Sequence, residues 1–170
     1  SSSRKLAREE ALGELARRFF AGHGPALLRD FTWWSGLPAA DAREALALAA
    51  PALVNEERGG ESYWLSPRAP RPRAADGSVS LLPPFDEWLV GYKERDDVLD
   101  PAHRSKVHAL LSPTLVAGGR VIGTWRRSLG KTGVLLSTSL FRGSGRPPAQ
   151  ALRAAVERYG RFVGKPAVLS

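Results

Sequence analysis

The chain contains no cysteine and no methionine among its 170 residues, and only three histidines. Without cysteine there is no disulfide, no thiol nucleophile and no thiolate-ligated metal. The histidines do not restore metal chemistry. His103 and His108 lie five apart and do not share a helix face, and His23 sits in Gly-His-Gly-Pro, a turn context. No metal and no cofactor is expected. Long apolar runs are also missing, which excludes a membrane-spanning helix and the apolar core of a secretory signal. The cytoplasm is the expected compartment. The chain opens on Ser-Ser-Ser-Arg-Lys rather than methionine, so it is expected to be part of a longer product.

Acidic residues are scarce in one region only. Residues 1–116 hold 15 Lys/Arg against 16 Asp/Glu, whereas residues 117–170 hold ten against one, so the whole net charge of +8 comes from the last third. A local excess of this kind produces a positive field that attracts phosphates.

The first third reads as three short helices and a hairpin. Leu12, Leu15, Ala16 and Phe19 form one helical stripe, with Glu9, Glu14, Arg17 and Arg18 on the wet side. Pro25 is placed to open a second helix carrying Leu27, Phe31 and Trp34 on one stripe. Trp34 is therefore expected in the core, and Trp33, about 100° further round, against a neighbouring element. Ser35-Gly36 makes a turn, Pro38 opens a third helix, and Ala42, Ala45, Leu46 and Ala49 point inward. "ALVNEERGGESYWL" then predicts two strands joined at Gly59-Gly60. Helix, helix, turn, helix, hairpin is the order of a winged helix. The predicted fold class is α+β: a winged helix over residues 1–66, a Pro/Arg linker over 67–78, and a mixed, β-rich, basic region over 79–170.

In that last region "SVSLL" reads as a strand, and a helix is predicted from Pro84 or Phe85 to about Tyr92, with Asp86 as its cap. Two strands turn at Gly118-Gly119, and a third follows in which Val134, Leu136, Thr138 and Leu140 share a face. "PPAQALRAAVERYGRF" is an amphipathic helix. Along "RVIGTWRR" a period of two places Val121, Gly123, Trp125 and Arg127 on one face, and Ile122, Thr124 and Arg126 on the other. Trp125 and Val121 make the first face the expected core. Arg126 then projects outward, and Arg127 escapes at the strand end through its long side chain.

Catalytic signatures are absent. Gly130-Lys131-Thr132 suggests a phosphate loop, but the glycine needed five positions earlier is Trp125. Asp86 and Glu87 are adjacent and point about 100° apart on a helix, unsuited to paired acid–base work.

Three blocks, "RRFFAGHGPALLRDFTWWSGLPAADAREAL", "LLPPFDEWLVGYKERDDVLD" and "PTLVAGGRVIGTWRR", together resemble the AlkZ-like family of tandem winged-helix proteins, in the family's order and over most of the chain. The resemblance is to the family's middle and C-terminal parts, without its catalytic module, and implies part of a bacterial DNA glycosylase that excises alkylated bases or unhooks interstrand crosslinks. That family's catalytic motif is Gln, an apolar residue, then Gln or Asp. The sole glutamine here is Gln150, followed by Ala151 and Leu152, so no catalytic residue is assigned. The expectation is a DNA-binding portion of such a protein, with two alternatives: a non-enzymatic winged-helix DNA binder, or a winged helix that binds proteins. The third helix exposes only Asp41, Arg43, Glu44 and alanines, and the hairpin adds Glu56, Glu57 and Glu61 against Arg58. That surface reads bases poorly. Contact with the backbone of double-stranded DNA is expected from Arg120, Arg126, Arg127, Lys131, Arg142 and Arg146, with Arg43 on the third helix as a lesser contributor.

Overall fold

A computed structural model describes residues 5–69, 77–107 and 112–170. His108 and most of the Pro/Arg stretch fall outside the described residues. The chain divides into two compact units, residues 1–71 with 91–94, and residues 72–90 with 95–170.

The first unit is built from α1 (Arg8–His23), α2 (Leu28–Ser35), α3 (Ala39–Ala49) and the hairpin of β1 (Val54–Arg58) and β2 (Glu61–Leu65). Leu12, Ala16, Phe19 and Phe20 of α1 meet Phe31 of α2 and Ala42, Ala45 and Ala49 of α3 in one core. The alanines let α3 approach α1 closely, and Phe19, Phe20 and Phe31 fill the space with rings 5.1–5.7 Å apart. Helix α2 begins three residues after Pro25. Ala26 pairs with Trp64 of β2 through both backbone hydrogen bonds, which keeps the chain extended as far as Leu27. The start is fixed by Asp30, a buried carboxylate that accepts the Leu27 N–H at 2.9 Å and the Lys93 N–H at 3.0 Å. The expected burial of Trp34 does not occur. It is 39% exposed, lying across Phe19 and His23 at ring distances of 5.2 and 5.6 Å as a cover on the core. Trp33 is 52% exposed.

The second unit is a five-stranded sheet in the order β3 (Val79–Leu82), β4 (Thr114–Ala117), β5 (Arg120–Leu129), β6 (Val134–Leu140), β7 (Ala167–Leu169), with α4 (Glu87–Val90) and α5 (Ala149–Val163). Only β6 and β7 are parallel, and α5 supplies the crossover that such a pair requires. Helix α4 is a single turn, much shorter than expected. Phe85 has φ 59, a left-handed conformation that no helix accommodates, and Asp86 caps the turn by accepting the Trp88 N–H at 3.0 Å. Beyond Gly91 the chain joins the first unit, where the Tyr92 hydroxyl donates to the His23 carbonyl at 2.8 Å.

One irregularity changes the expected faces of β5. Leu115 pairs with Gly123 but Val116 pairs with Val121, leaving Ile122 as an extra residue. Val121 consequently packs with Leu99, Val116 and Phe141, whereas Ile122 packs beneath α5 against Ala155 and Trp125 packs against Val156. Val121 and Trp125 therefore lie on opposite faces, and both faces are partly buried. Helix α5 approaches this sheet because residue 160 is glycine. A Cβ there would sit 2.8 Å from the Lys165 carbonyl oxygen and 3.0 Å from the Ala167 Cβ.

Candidate nucleic-acid interface

The bulge leaves the far end of the sheet with one open, polar face. Thr124, Arg126 and Ser128 of β5 stand across from Ser139, Ser137 and Leu135 of β6, and α5 covers the other side. Arg126 is exposed in the middle of this face. Lys131 projects from the tip of the β5–β6 hairpin. That tip is held by the Gly130 N–H donating to the Gly133 carbonyl at 2.8 Å and by the Lys165 ammonium donating to the Gly130 carbonyl at 3.0 Å. Arg142 and Arg146 flank Ser144, whose hydroxyl reaches the Ile122 and Phe141 carbonyls, each at 2.8 Å, and anchors the connection to the sheet. Arg120 opens β5 and donates to the Asp97 carbonyl at 3.1 Å. Arg127 lies on the α5 side, hydrogen-bonded to the Tyr159 hydroxyl with its guanidinium 6.0 Å from the Tyr159 ring centre.

Arginines are paired with carboxylates in both units, Arg104 with Asp96 in the second. In the first, Arg8 is paired with Asp41 at 2.9 Å and Glu44 at 3.0 Å, Arg17 and Arg18 share Glu14 at 2.7 Å, and Arg29 meets Glu61 at 2.8 Å. These hydrogen bonds raise the pKa of Arg8, Arg17 and Arg29, each through its carboxylate partner. The two guanidiniums hold the Glu14 carboxyl down at about 2. Arg8 thus spends the acidic charge that α3 would otherwise present. Arg43, also on α3, stays exposed beside a groove of about 800 Å³ that Trp33, Arg29 and Lys93 help to line. In the second unit, Arg126, Lys131, Arg142 and Arg146 are exposed and make no ion pair with any described residue. Among the described residues no group of three His, Asp or Glu could hold a metal ion, and no helix is long and apolar enough to cross a membrane.

Sequence reasoning passed over the edge of α5 that meets β3 and β5. Arg158, Tyr159 and Phe162 there line a cavity of about 590 Å³ with Trp125 and Arg127. The alternation of basic and aromatic residues in "ERYGRF" is the signal that could have found it.

The class follows from the fold: an α+β protein of helices and a sheet, with Arg126, Lys131, Arg142 and Arg146 of the second unit exposed and without an ion pair to any described residue. The chain belongs to the family described as DNA glycosylase AlkZ-like, whose sequence profile matches residues 2–162. Among its relatives is the interstrand DNA cross-link repair glycosylase of Streptomyces sahachiroi, 28% identical over 127 residues that make up 69% of this chain and 34% of that protein. The solved structure of Streptomyces sahachiroi DNA glycosylase AlkZ is similar in fold, with a TM-score of 0.77 at 21% identity over 99% of this chain and 48% of that one. The chain thus spans about half, or less, of the length of these proteins.

Proposed function

We propose that this chain is the DNA-binding portion of a DNA-repair protein of the alkylated-base or crosslink glycosylase type, and that it grips the phosphate backbone of double-stranded DNA through its basic last third. The division is a winged helix over residues 1–66, a linker over 67–78 and a basic domain over 79–170. The observation that carries this reading is the set Arg126, Lys131, Arg142 and Arg146, exposed and with no ion pair to any described residue, where Arg8, Arg17, Arg18 and Arg29 are each held by a carboxylate. A guanidinium without a carboxylate partner keeps its full attraction for phosphate. Arg120 adds the donors not already committed to Asp97, and Arg127, held to Tyr159 on the α5 side, can offer its remaining donors to a phosphate only from that side. Such contacts position a protein without reading sequence, which suits a repair protein that meets damage anywhere. The winged helix serves mainly as scaffold, with Arg43 as a minor contact.

The test is fluorescence anisotropy of a labelled duplex with this chain over a range of salt concentrations. Affinity that falls steeply with salt supports the reading; absent or salt-independent binding favours a protein-binding winged helix instead. Incubation of the same protein with alkylated duplex is expected to leave no abasic sites above background, because the chain carries no glutamine-based catalytic motif.

A further inference from the structure

The cavity between α5 and the strands β3 and β5 combines aromatic walls with positive charge. Its volume, about 590 Å³, lies within the roughly 300–1,000 Å³ common for ligand sites. Its wall is a row of three rings. Trp125 is buried, with its indole N–H donated to the Leu82 carbonyl at 2.8 Å; Tyr159 stands edge-on to it at 5.2 Å; Phe162 follows at 6.5 Å from Tyr159. Pro83 and Pro84 also line it. The row runs from interior to solvent, and Phe162 at its end is 84% exposed, the most exposed large apolar side chain among the described residues. An exposed ring at the mouth of a concave site offers a face on which a flat ligand can stack. The neighbouring charge is positive. Arg127 and Arg158 both line the cavity, and the one acid of residues 117–170, Glu157, borders a different depression with Gly160 and Lys165.

We propose that this cavity takes one unpaired nucleotide of a DNA strand, its base stacked on Phe162 and its phosphate held by Arg127. Paired bases are hidden within the duplex and cannot occupy such a site, whereas every unpaired base has a free π-face. The site rests on the DNA-binding reading above and adds to it a preference for interrupted pairing. It lies on the α5 side of the sheet, away from the open face that carries Arg126.

Anisotropy titrations with three probes test it: a fully paired duplex, the same duplex with one extra unpaired base, and the corresponding single strand. The chain is expected to prefer the two probes with unpaired bases by about fivefold or more, as one stacked base confers. Phe162→Ala is expected to abolish that preference and to leave paired-duplex affinity unchanged, since the ring is exposed and the fold does not depend on it; Phe162→Tyr is expected to retain the preference. Equal affinity for all three probes, or a preference that survives Phe162→Ala, overturns the site while leaving backbone binding of duplex intact. Single-strand binding without any duplex binding would instead overturn the proposed function and leave the site standing. Free thymidine monophosphate binding as tightly as the strand, or no DNA binding at all, would remove the assignment to a DNA strand.

Discussion

Replacing Arg126, Lys131, Arg142 and Arg146 together with alanine tests the interface most directly, because all four are exposed and none is paired with a described residue. Each neutralised phosphate of duplex DNA adds ~0.9 to the magnitude of the slope of log affinity against log salt. If all four make such contacts, the slope should fall in magnitude by about 3.6, and the parent should lose ~150-fold more affinity than the variant over a fourfold rise in salt. Stability should hardly change, because no described contact is removed and surface substitutions away from such features stay within about ±0.5 kcal/mol. Arg17→Ala with Arg18→Ala provides the contrast. Those guanidiniums are bound to Glu14 at 2.7 Å, and their loss frees an acid instead of removing an available cation. Arg43→Ala should change the slope by less than about one unit. The assay is anisotropy at four or more salt concentrations, with urea melts of each variant. A slope unchanged in the quadruple variant but lowered by Arg43→Ala would move the interface to α3 and refute the reasoning.

Phe31→Ala should cost ~3–5 kcal/mol, since the ring is wholly buried between Phe19 and Phe20. Trp34→Ala should cost roughly half of that, because the indole keeps 39% of its surface in water; equal losses in urea melts would show that Trp34 is a full core residue. Gly160→Ala should destabilise by ~1–2 kcal/mol, since overpacking against the Lys165 carbonyl outweighs the gain in helix propensity, and a raised melting temperature would contradict the close approach of α5 to β7. The Glu14 carboxyl should titrate at about 2 by NMR. Its folded value lies below the ordinary ~4.3, so its contribution to stability is complete above that value and disappears as pH falls through about 2. Arg17→Ala with Arg18→Ala should return it toward the ordinary range.

The sequence by itself determined the elements whose information is local. The stripes of α1 and α3, the paired glycines between β1 and β2, and the alternation in β6 all depend on residues within a few positions of each other, and they stand where periodicity placed them. The separation of charge was equally legible, because it is a count along the chain. Tertiary structure decided the rest. Whether an arginine is available depends on carboxylates far away in sequence, as when Arg8 reaches Asp41 and Glu44 and silences the acidic face of α3. The bulge at Ile122 arises from register between two strands, and it moves Val121 to the opposite face from Trp125, contrary to a strict period of two. Trp34 follows a buried stripe in sequence yet stays partly wet, because what lies over a helix face is set by its neighbours and not by its own period. The row of Trp125, Tyr159 and Phe162 joins a strand to a helix more than thirty residues later, a proximity that exists only once α5 has crossed the sheet to bring β7 beside β6.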